Sequence, residues 1–503
     1  MSAVIHAEWT KFRTVRGWIT GLLVAAGVTM ALGLGPGQSG SCGHGNSCGL
    51  TLGPTGVPVT DTFYFVRRAL AGNGAITVRV SSLTGQLPDT SFSPAATRPG
   101  THPGLMPWSK AGIIIKASTK QGSAYAAMMV TGGNGVRMQY DYTGDVAGLP
   151  GRVSAAAPRW LRLTRRGDTI TGYDSANGTR WARVGTIRLR GLRTTVQGGL
   201  FAASPPDSST SFGTSAVSGG LSQDTAVLDH LGLAGRWGAG SWTGDYVGAP
   251  QGPAPGPPTG FRQAGGVFTV TGSGDIGPVV TGANGTGATI AQTLIGTFAG
   301  LIAIVVVAAM FMTAEYRRGL IRTTLLASPR RGRVLAGKAA VIGAVTFVTG
   351  LVSSAVVVVF GQRELRANGV YVFPVSAVTE VRVIAGTAAV LALAAVLALA
   401  LGTLLRRSAI AVTVAFLVIV LPYMFCVAAP VLPLAVQDWL LRLTPAAAFA
   451  VQATLPQYHQ VTNVYAASAG YFPLAPWAGL AVLAAWAAAA LALATWRLNR
   501  RDA

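Results

Sequence analysis

The first candidate for chemistry is a near-match to a nucleotide-binding loop. Residues 332–339 read GRVLAGKA. A phosphate-binding loop needs a strand before it and a Ser or Thr after the lysine, whose hydroxyl holds magnesium. Ala339 has no hydroxyl, and an arginine-rich segment precedes the motif. We therefore expect no nucleotide to bind here, and any ATP hydrolysis must come from another chain.

Signatures of glycoside hydrolysis are also incomplete. Residues 175–181 (SANGTRW) are similar to the sialidase Asp-box, but they are one residue short and have Asn in place of Asp. They are more typical of a hairpin turn with a packed Trp. Residues 36–288 contain eleven Asp and no Glu, so the Glu-x-Asp-x-x-Glu motif of sandwich glycosidases is absent. A pair of Asp could act, but no spacing indicates one, and we predict that the chain is not an enzyme.

Metal and thiol chemistry has little support. His44 and His102 are isolated, and no CxxC or His/Cys cluster occurs. Cys42 and Cys48 are predicted to form a disulfide if their segment lies outside the cell. Cys426 lies in an apolar run and is predicted to be packed rather than reactive. No cofactor is expected.

Composition indicates a membrane protein. The chain has 503 residues, of which 50% are hydrophobic and only 11% are charged, against about 25% charged in soluble domains. Its net charge of +22 would suggest nucleic acid if it were clustered on a soluble face. The basic residues follow the topology of the chain instead, so nucleic acid is not an expected partner.

Runs without charged residues predict six membrane helices. A helix needs about 20 apolar residues to cross a bilayer. The predicted spans are residues 17–35, 289–313, 339–360, 383–405, 409–434 and 474–496. Pro422, Pro430 and Pro433 predict a kinked or broken fifth span. Residues 435–473 are predicted to form short helices and loops at the outer surface.

The segment between the second and third spans, residues 314–338, sets the orientation; we call it the connector. It holds seven Lys/Arg and one acid, Glu315. Short loops rich in Lys and Arg stay in the cytoplasm. Both termini, including residues 497–503, are therefore predicted to be cytoplasmic, and residues 36–288 extracellular, in a multi-pass protein of the plasma membrane.

Residues 1–16 predict a helix that lies in the membrane interface. Ile5, Trp9 and Phe12 fall on one face at spacings of four and three, with Glu8 and Lys11 mostly off it. Such a helix lies along the headgroups rather than crossing the bilayer. The alternative is the charged leader of a cleaved signal peptide.

Residues 36–288 predict a different kind of structure, an extracellular antiparallel β-sandwich at about 60–220. Turn signals at 132–135, 166–168 and 176–178 separate short apolar runs. A Pro/Gly-rich linker is predicted at 249–260. The predicted strands are residues 75–80, 111–117, 124–130, 135–141, 159–165, 168–174, 179–186 and 195–203.

Two motifs resemble the permease subunits of bacterial ABC-2-type transporters. Residues 7–18 (AEWTKFRTVRGW) resemble their opening, and residues 315–338 (EYRRGLIRTTLLASPRRGRVLAGK) resemble their loop between the second and third spans. With the six spans, the resemblance covers residues 1–35 and 289–503. It implies a helical membrane protein with the sandwich inserted between the first two spans. It also implies a separate ABC ATP-binding subunit and a second permease copy, as a homodimer or a heterodimer.

The same resemblance implies roles for two sets of residues. Residues 1–16 would be the elbow helix, with Glu8, Trp9, Lys11 and Arg13 as its site residues. The connector would be the element that docks into the ATPase. Its implied coupling residues are Glu315, Arg317, Arg318, Gly319, Arg322, Pro329, Arg330 and Arg331. The alternative is that these arginines bind anionic membrane lipid and only fix topology.

The inserted domain resembles concanavalin-A-like and laminin-G-like sandwich modules. The similar segments are KAGIIIKA (110–117), GSAY (122–125), GNGVRMQY (133–140), RWLRLTR (159–165) and SANGTRWARVG (175–185). Such modules often bind sugars, although the fold alone does not confer that. The insert carries 20 Lys/Arg against 11 Asp, a net charge of +9. This could attract a glycan, an anionic envelope polymer or an acidic cargo; the alternative is ordinary solvated surface charge.

The sequence therefore predicts a permease driven by a separate ATPase, as an exporter. Two alternatives stay open. The first is a membrane-anchored extracellular protein that binds or senses carbohydrate, whose spans only hold the sandwich in place. The second is a surface hydrolase.

Overall fold

The computed structural model of the protein describes residues 2–35, 50–89, 100–210, 217–248, 258–280, 287–317, 319, 330–428, 432–461 and 465–500. Several predicted features lie outside these residues. They are the cysteines Cys42 and Cys48, most of the predicted linker, and the connector residues Arg318, Arg322 and Pro329.

Six helices within the described residues are long and apolar enough to cross a membrane. They are α2–α6 and α8, and a shorter helix, α1, precedes them. The helices are α1 (Ser2–Thr14), α2 (Arg16–Gly33), α3 (Ile290–Arg317), α4 (Arg331–Ala367), α5 (Ala377–Leu405), α6 (Ser408–Val427), α7 (Leu434–Leu443) and α8 (Pro476–Arg500). The predicted helical membrane class is confirmed.

The helices on both sides of the connector are longer than the charge-free runs. α3 continues to Arg317, and α4 begins at Arg331. Both ends of the connector, residues 314–317 and 331–338, are therefore helical. Arg, Lys and Glu favour helix, so a charged residue can end the apolar span without ending the helix. Gly319 has a left-handed φ of 68°, a conformation typical of the residue just past a helix end.

Within residues 435–473 the described structure consists of short helices and loops, including α7, the 3-10 helix Pro445–Gln452 and the 3-10 turn Ala467–Ala469. α7 is largely exposed, with only Gln437 and Leu441 buried, whereas every residue of the 3-10 helix Pro445–Gln452 is buried. The placement of the segment at the outer surface stays a prediction. Gly479 of α8 packs against Ala447, and Gly386 of α5 packs against Val451. Small residues allow this close approach. Before this segment, α6 contains π-helical turns on both sides of Pro422, where proline removes a backbone donor.

The inserted domain is made of antiparallel strands, and the predicted β-sandwich is confirmed. The strands are β1 (Val59–Asp61), β2 (Phe63–Pro88), β3 (Thr101–Pro103), β4 (Lys110–Lys116), β5 (Tyr125–Thr131), β6 (Val136–Tyr140), β7 (Gly144–Ala147), β8 (Arg159–Arg166), β9 (Thr169–Ser175), β10 (Ala182–Arg188), β11 (Thr195–Ala203), β12 (Asp207–Thr210), β13 (Val217–Gly220), β14 (Gln223–Trp237), β15 (Thr243–Val247), β16 (Gly260–Ala264), β17 (Val267–Gly272) and β18 (Ile276–Pro278).

The strands form two layers that share the long strand β2. The proximal layer has the order β15-β2-β11-β4-β5-β6-β7, and the distal layer has the order β16-β17-β14-β2-β8-β9-β10. Residues such as Val66 and Ile113 of the proximal layer and Val78 and Leu161 of the distal layer form the core between them. A smaller core covers the other face of the proximal layer and includes Val59 of β1.

The sandwich ends near residue 278, not near 220 as predicted. β14 pairs along β2 from Gln86 to Leu70, and β17 pairs with β14. The domain therefore needs the later strands to complete its distal layer. The sequence prediction stopped early because apolar and polar residues do not alternate strictly along β14 (QDTAVLDHLGLAGRW).

Two buried ion pairs attach the sandwich to the chain segments that enter and leave it. β1 and β18 pair with each other in a ribbon, which we call the stalk. Lys116 Nζ lies 2.7 Å from Asp61 Oδ2 on β1, and Lys110 Nζ lies 2.6 Å from Asp275 Oδ1 just before β18. Both lysine side chains are fully buried. One strand, β4, therefore holds both halves of the stalk.

The sandwich also contacts the loops between membrane helices. Gln460 Nε2 donates to the Thr143 carbonyl at 3.0 Å. Ala288, just before α3, forms an isolated β-bridge with Val372 in the loop between α4 and α5. The domain thus contacts the bundle at the ends of the helices opposite to the connector.

Candidate functional site at the elbow helix and connector

α1 has two faces, and the sequence analysis identified one of them. Ile5 and Trp9, on the predicted apolar face, are 36% and 42% exposed on the protein surface. Glu8 and Phe12, spaced by four residues, are only 2% and 3% exposed. Glu8 and Phe12 therefore lie on the side of α1 that packs on α3 and α4, and Ile5 and Trp9 lie on its exposed side. The sequence analysis placed Glu8 mostly off the apolar stripe; the structure buries Glu8 together with Phe12, the one residue of that stripe that packs on protein.

Four charged residues meet where α1, α3 and α4 come together, and we call them the junction cluster: Glu8, Lys11, Glu315 and Lys338. Lys338 Nζ donates to Glu8 Oε2 and to Glu315 Oε1, each at 2.6 Å. Lys11 Nζ donates to Glu8 Oε1 at 3.1 Å and lies 3.5 Å from Glu315 Oε1. Two acids and two bases balance, so the cluster carries no net charge.

The members of the junction cluster differ in burial. The Lys338 side chain is fully buried, and those of Glu8 and Glu315 are 2% and 11% exposed. Lys11 is the most open member, at 42%. Partial burial acts to lower its pKa, but Glu315 and Glu8 outweigh that effect and raise the pKa of Lys11 above its ordinary value. Lys11 therefore stays charged at neutral pH.

Aromatic rings surround the cluster. Phe311 of α3 makes edge-to-face contacts with Phe12 and with Trp18, at centroid distances of 5.9 and 5.7 Å. Lys338 Nζ lies 5.1 Å from the centroid of the same ring. The ring faces attract the ammonium group, and their bulk shields the ion pairs from water. The three helices are thus joined by both charge and packing.

The glycine and lysine that suggested a phosphate loop have packing roles here. Residues 331–338 form the first turns of α4, so they do not form a loop around a phosphate. A Cβ atom on Gly337 would lie 2.9 Å from Val4 Cγ1 of α1. Gly337 therefore allows α1 to approach α4, and Lys338 is the base at the centre of the junction cluster.

The other predicted site residues lie around the cluster. Arg13, Arg317 and Arg330 are exposed, and they are not brought into contact with the cluster. Arg331 Nη1 donates to the Leu498 carbonyl of α8 at 2.6 Å, so the first residue of α4 is tied to the end of the last helix.

Sequence reasoning missed Lys338 as a site residue. In the sequence, Lys338 is simply the last of the seven bases of the connector. Two signals point to a different role. Lys338 stands beside the charge-free run that starts at Ala339, and Glu315 is the lone acid of the connector. An acid and a base at the facing ends of consecutive membrane helices are natural partners, because each needs a counter-charge in a poorly hydrated place.

The junction cluster links three helices through buried charges. α3 and α4 carry the two ends of the connector, and Lys338 and Glu315 join those ends to each other and to α1. The described ends of the connector are thus joined to each other and to α1 by buried ion pairs. No other element of the described residues links the elbow helix to α3 and α4 through buried charges.

Comparison with solved structures finds only weak likenesses. A functionally unknown protein from Saccharomyces cerevisiae has 16% identity and a TM-score of 0.22, with 35% of this chain and 76% of that chain covered. The GH43 protein BlXynB from Bacillus licheniformis has 15% identity and a TM-score of 0.18, with 26% and 24% covered. Scytalido-glutamic peptidase has 10% identity and a TM-score of 0.24, with 44% and 100% covered. Likenesses this weak establish neither fold nor function.

Sequence comparison gives a clear result for the family. No curated protein matches the chain. The profile of a family described as "ABC-2 family transporter protein" matches residues 116–503, which is more than half of the chain and includes α3 to α8 with the connector. Together with the six membrane-length helices, this match shows that the chain is a membrane protein that belongs to the ABC-2 family of transporter proteins.

Proposed function

We propose that the chain is the permease subunit of an ABC exporter that is driven by a separate ATP-binding subunit. Two permease copies, identical or related, would form the pathway. α1, the connector and the C-terminus would face the cytoplasm, and residues 36–288 would face the outside of the plasma membrane. A lipid-like, peptide or drug-like molecule would be the substrate.

The junction cluster is the observation that carries this proposal. An ATPase outside the membrane needs a stiff element through which to act on the helices. Lys338 holds Glu315 and Glu8 at 2.6 Å each, directly beside the segment that the family resemblance assigns to the ATPase. ATP-driven closure of the partner would push residues 318–330, and α1, α3 and α4 would rock together.

The composition of the spans supports an external energy source. The predicted spans contain no Asp, Glu, His, Lys or Arg. Proton- or ion-coupled carriers need such groups within the membrane. The charged side chains of the junction cluster instead lie at one end of the bundle, where they are paired with each other.

The proposal is tested by charge reversal in the connector. The variant Arg317→Glu/Arg318→Glu/Arg322→Glu should lower copurification of an ATP-binding subunit at least tenfold and abolish the ATPase activity that the wild type stimulates. The control is Arg363→Glu, an exposed arginine near the other end of α4, which should leave both unchanged. The partner assignment is wrong if the wild type brings down no ATPase, or if the triple variant keeps both properties.

A further inference from the structure

The outer side of the distal layer carries a dense set of arginines and aromatic rings, and we call it the distal face. Its position follows from alternation along the strands, since neighbouring residues point to opposite sides of a sheet. Val78 and Leu161 point into the core. Thr77, Arg162 and Tyr173 are paired across neighbouring strands and point the other way.

The distal face has an excess of positive charge. Among the ion pairs of the described residues, none includes its members Arg162, Arg166, Arg183 and Arg188. Asp229 on the same face is already bound by Arg79, through hydrogen bonds of 2.6 and 2.8 Å to its two carboxylate oxygens.

A second acid offsets only part of the remaining charge. Asp168, in the turn between β8 and β9, is one acid against the four arginines. A net positive surface of this kind favours an anionic ligand.

Aromatic rings lie among these arginines. The guanidinium of Arg162 stacks 3.9 Å from the centroid of Trp181, and its Nε donates to Thr77 Oγ1 at 3.0 Å. Trp160 lies in edge contact with His230 at a centroid distance of 5.3 Å. Trp160 and Trp181 are only half-buried. Flat rings beside fixed guanidinium groups suit a ligand that combines apolar ring faces with acidic groups, as sugar acids do.

The same face contains a cleft of about 540 Å³, within the range of small-molecule sites. Gly74, Ala75, Ala234 and Gly235 contribute small residues to it. Its other lining residues carry hydroxyl groups, guanidinium groups or an amide: Asn73, Thr164, Arg165, Arg166, Thr169, Thr171 and Tyr173. Hydroxyl and guanidinium donors around a shallow cleft fit a polyhydroxylated, negatively charged chain.

The layering of the domain separates the distal face from the stalk. The stalk packs on the proximal layer through the smaller core, and the main core lies between the proximal and distal layers. Packed sheets are about 10 Å apart. The distal face therefore lies on the side of the sandwich away from the stalk, where a soluble polymer can reach it and a lipid headgroup of the same membrane is far off.

We propose that the distal face binds an anionic glycan, with sugar rings on Tyr173 and Trp181 and acidic groups on Arg162, Arg166, Arg183 and Arg188. This site is independent of the ATPase coupling proposed above. If no glycan binds, the permease assignment is unaffected, because glycan binding is measured without nucleotide and without the ATP-binding subunit.

The test uses the full-length protein in nanodiscs of uncharged lipid. The acidic probes are labelled oligogalacturonate and a heparin-derived oligosaccharide. A maltooligosaccharide of matched length controls for the sugar, and oligoglutamate controls for charge alone. At least one acidic glycan should bind at least tenfold more tightly than both controls, and binding should weaken with salt.

Variants locate the site. The double variant Arg162→Ala/Arg166→Ala should weaken glycan binding at least tenfold. The double variant Arg183→Ala/Arg188→Ala, at exposed positions, should do the same, and it replaces the first variant if that protein does not fold. Tyr173→Ala should lose affinity where Tyr173→Phe, which keeps the ring, should not.

Arg262→Ala is the matched control, an exposed arginine of the same layer. It is four strands from β8, or about 19 Å at a strand spacing of about 4.8 Å, and should bind as the wild type does. The proposal is overturned if neither acidic glycan binds, if oligoglutamate binds as tightly, or if the arginine pairs change nothing.

Discussion

Lys338 Nζ lies 2.6 Å from Glu8 Oε2, although the two residues are 330 positions apart. The contact crosses the whole inserted domain in sequence and joins the elbow helix to the third membrane-length helix. It is buried, and Glu315 completes it from α3. In the proposed transporter, this contact makes the elbow helix part of the coupling machinery rather than a passive anchor in the lipid interface.

Lys338→Met should destabilise the membrane domain strongly. The substitution leaves Glu8 and Glu315 facing each other in a buried place with only Lys11 to balance them. Breaking a buried ion pair by removing one partner costs about 3–5 kcal/mol. We expect a lower thermal midpoint in detergent and loss of stimulated ATPase activity, measured on purified protein with its partner.

A double variant separates charge balance from packing. Glu8→Gln/Lys338→Met leaves Glu315 paired with Lys11, so no net charge is buried. It should be more stable than Lys338→Met alone. The single variant Glu8→Gln completes the comparison. If the stability losses of Glu8→Gln and Lys338→Met add up to the loss of the double variant, Glu8 and Lys338 do not interact in the way that the structure indicates.

Part of this site could be predicted from the sequence, and part could not. Charge-free runs located the spans, because the bilayer demands apolar length. The stripe of Ile5, Trp9 and Phe12 predicts the helix α1, and its position in the membrane interface stays a prediction. The face that packs on protein, with Glu8, could not be found in the same way, because a buried charge looks like a surface charge until its partner is known.

In the sandwich, too, contacts between residues distant in the sequence could not be predicted. Turn residues located most of the early strands. β2 continues past Gly72 and Gly74, however, where a turn would be expected from the sequence. Gly72 has a left-handed φ of 72°, the pairing with β14 shifts register there, and the strand joins both layers. The pairing of Lys116 with Asp61 depends on the folded topology and left no local signal.

Lys116→Met should loosen the stalk. It leaves Asp61 buried without its cation, and the expected cost is about 3–5 kcal/mol. Tyr142, whose hydroxyl donates to Asp61 Oδ2 at 2.8 Å, would compensate only in part. We expect faster protease cleavage of the inserted domain in the full-length protein.

The paired variant Lys116→Met/Asp61→Leu provides the control. It removes both charges, so most of the lost protease resistance should return. Equal cleavage of the single and double variants would show that the ion pair does not hold the stalk to β4.

Asp224 should make the inserted domain less stable at higher pH. Burial raises the pKa of Asp224 well above its ordinary value, which is about 4. Below that ordinary value, the group is protonated in both states and contributes no difference. Above it, the unfolded state ionises first, so stability falls as pH rises towards the folded-state pKa and then levels off.

Asp224→Asn removes this dependence. The variant should gain thermal stability relative to the wild type between pH 5 and pH 8, and the two curves should converge near pH 4. Calorimetry of the full-length protein measures the unfolding temperature of the inserted domain in the wild type and in the variant at each pH. Parallel curves across that range would show that Asp224 does not titrate as its burial indicates.

Cross-linking from the connector in inside-out membrane vesicles tests the proposed coupling to the ATP-binding subunit most directly. In a background with Cys42, Cys48 and Cys426 replaced, Arg322→Cys should cross-link to the ATP-binding subunit, and the yield should change when ATP is added. Asn368→Cys, at the other end of α4, should give no such product. Equal cross-linking from both positions, or none from position 322 with ATP and the partner present, would contradict the proposed coupling.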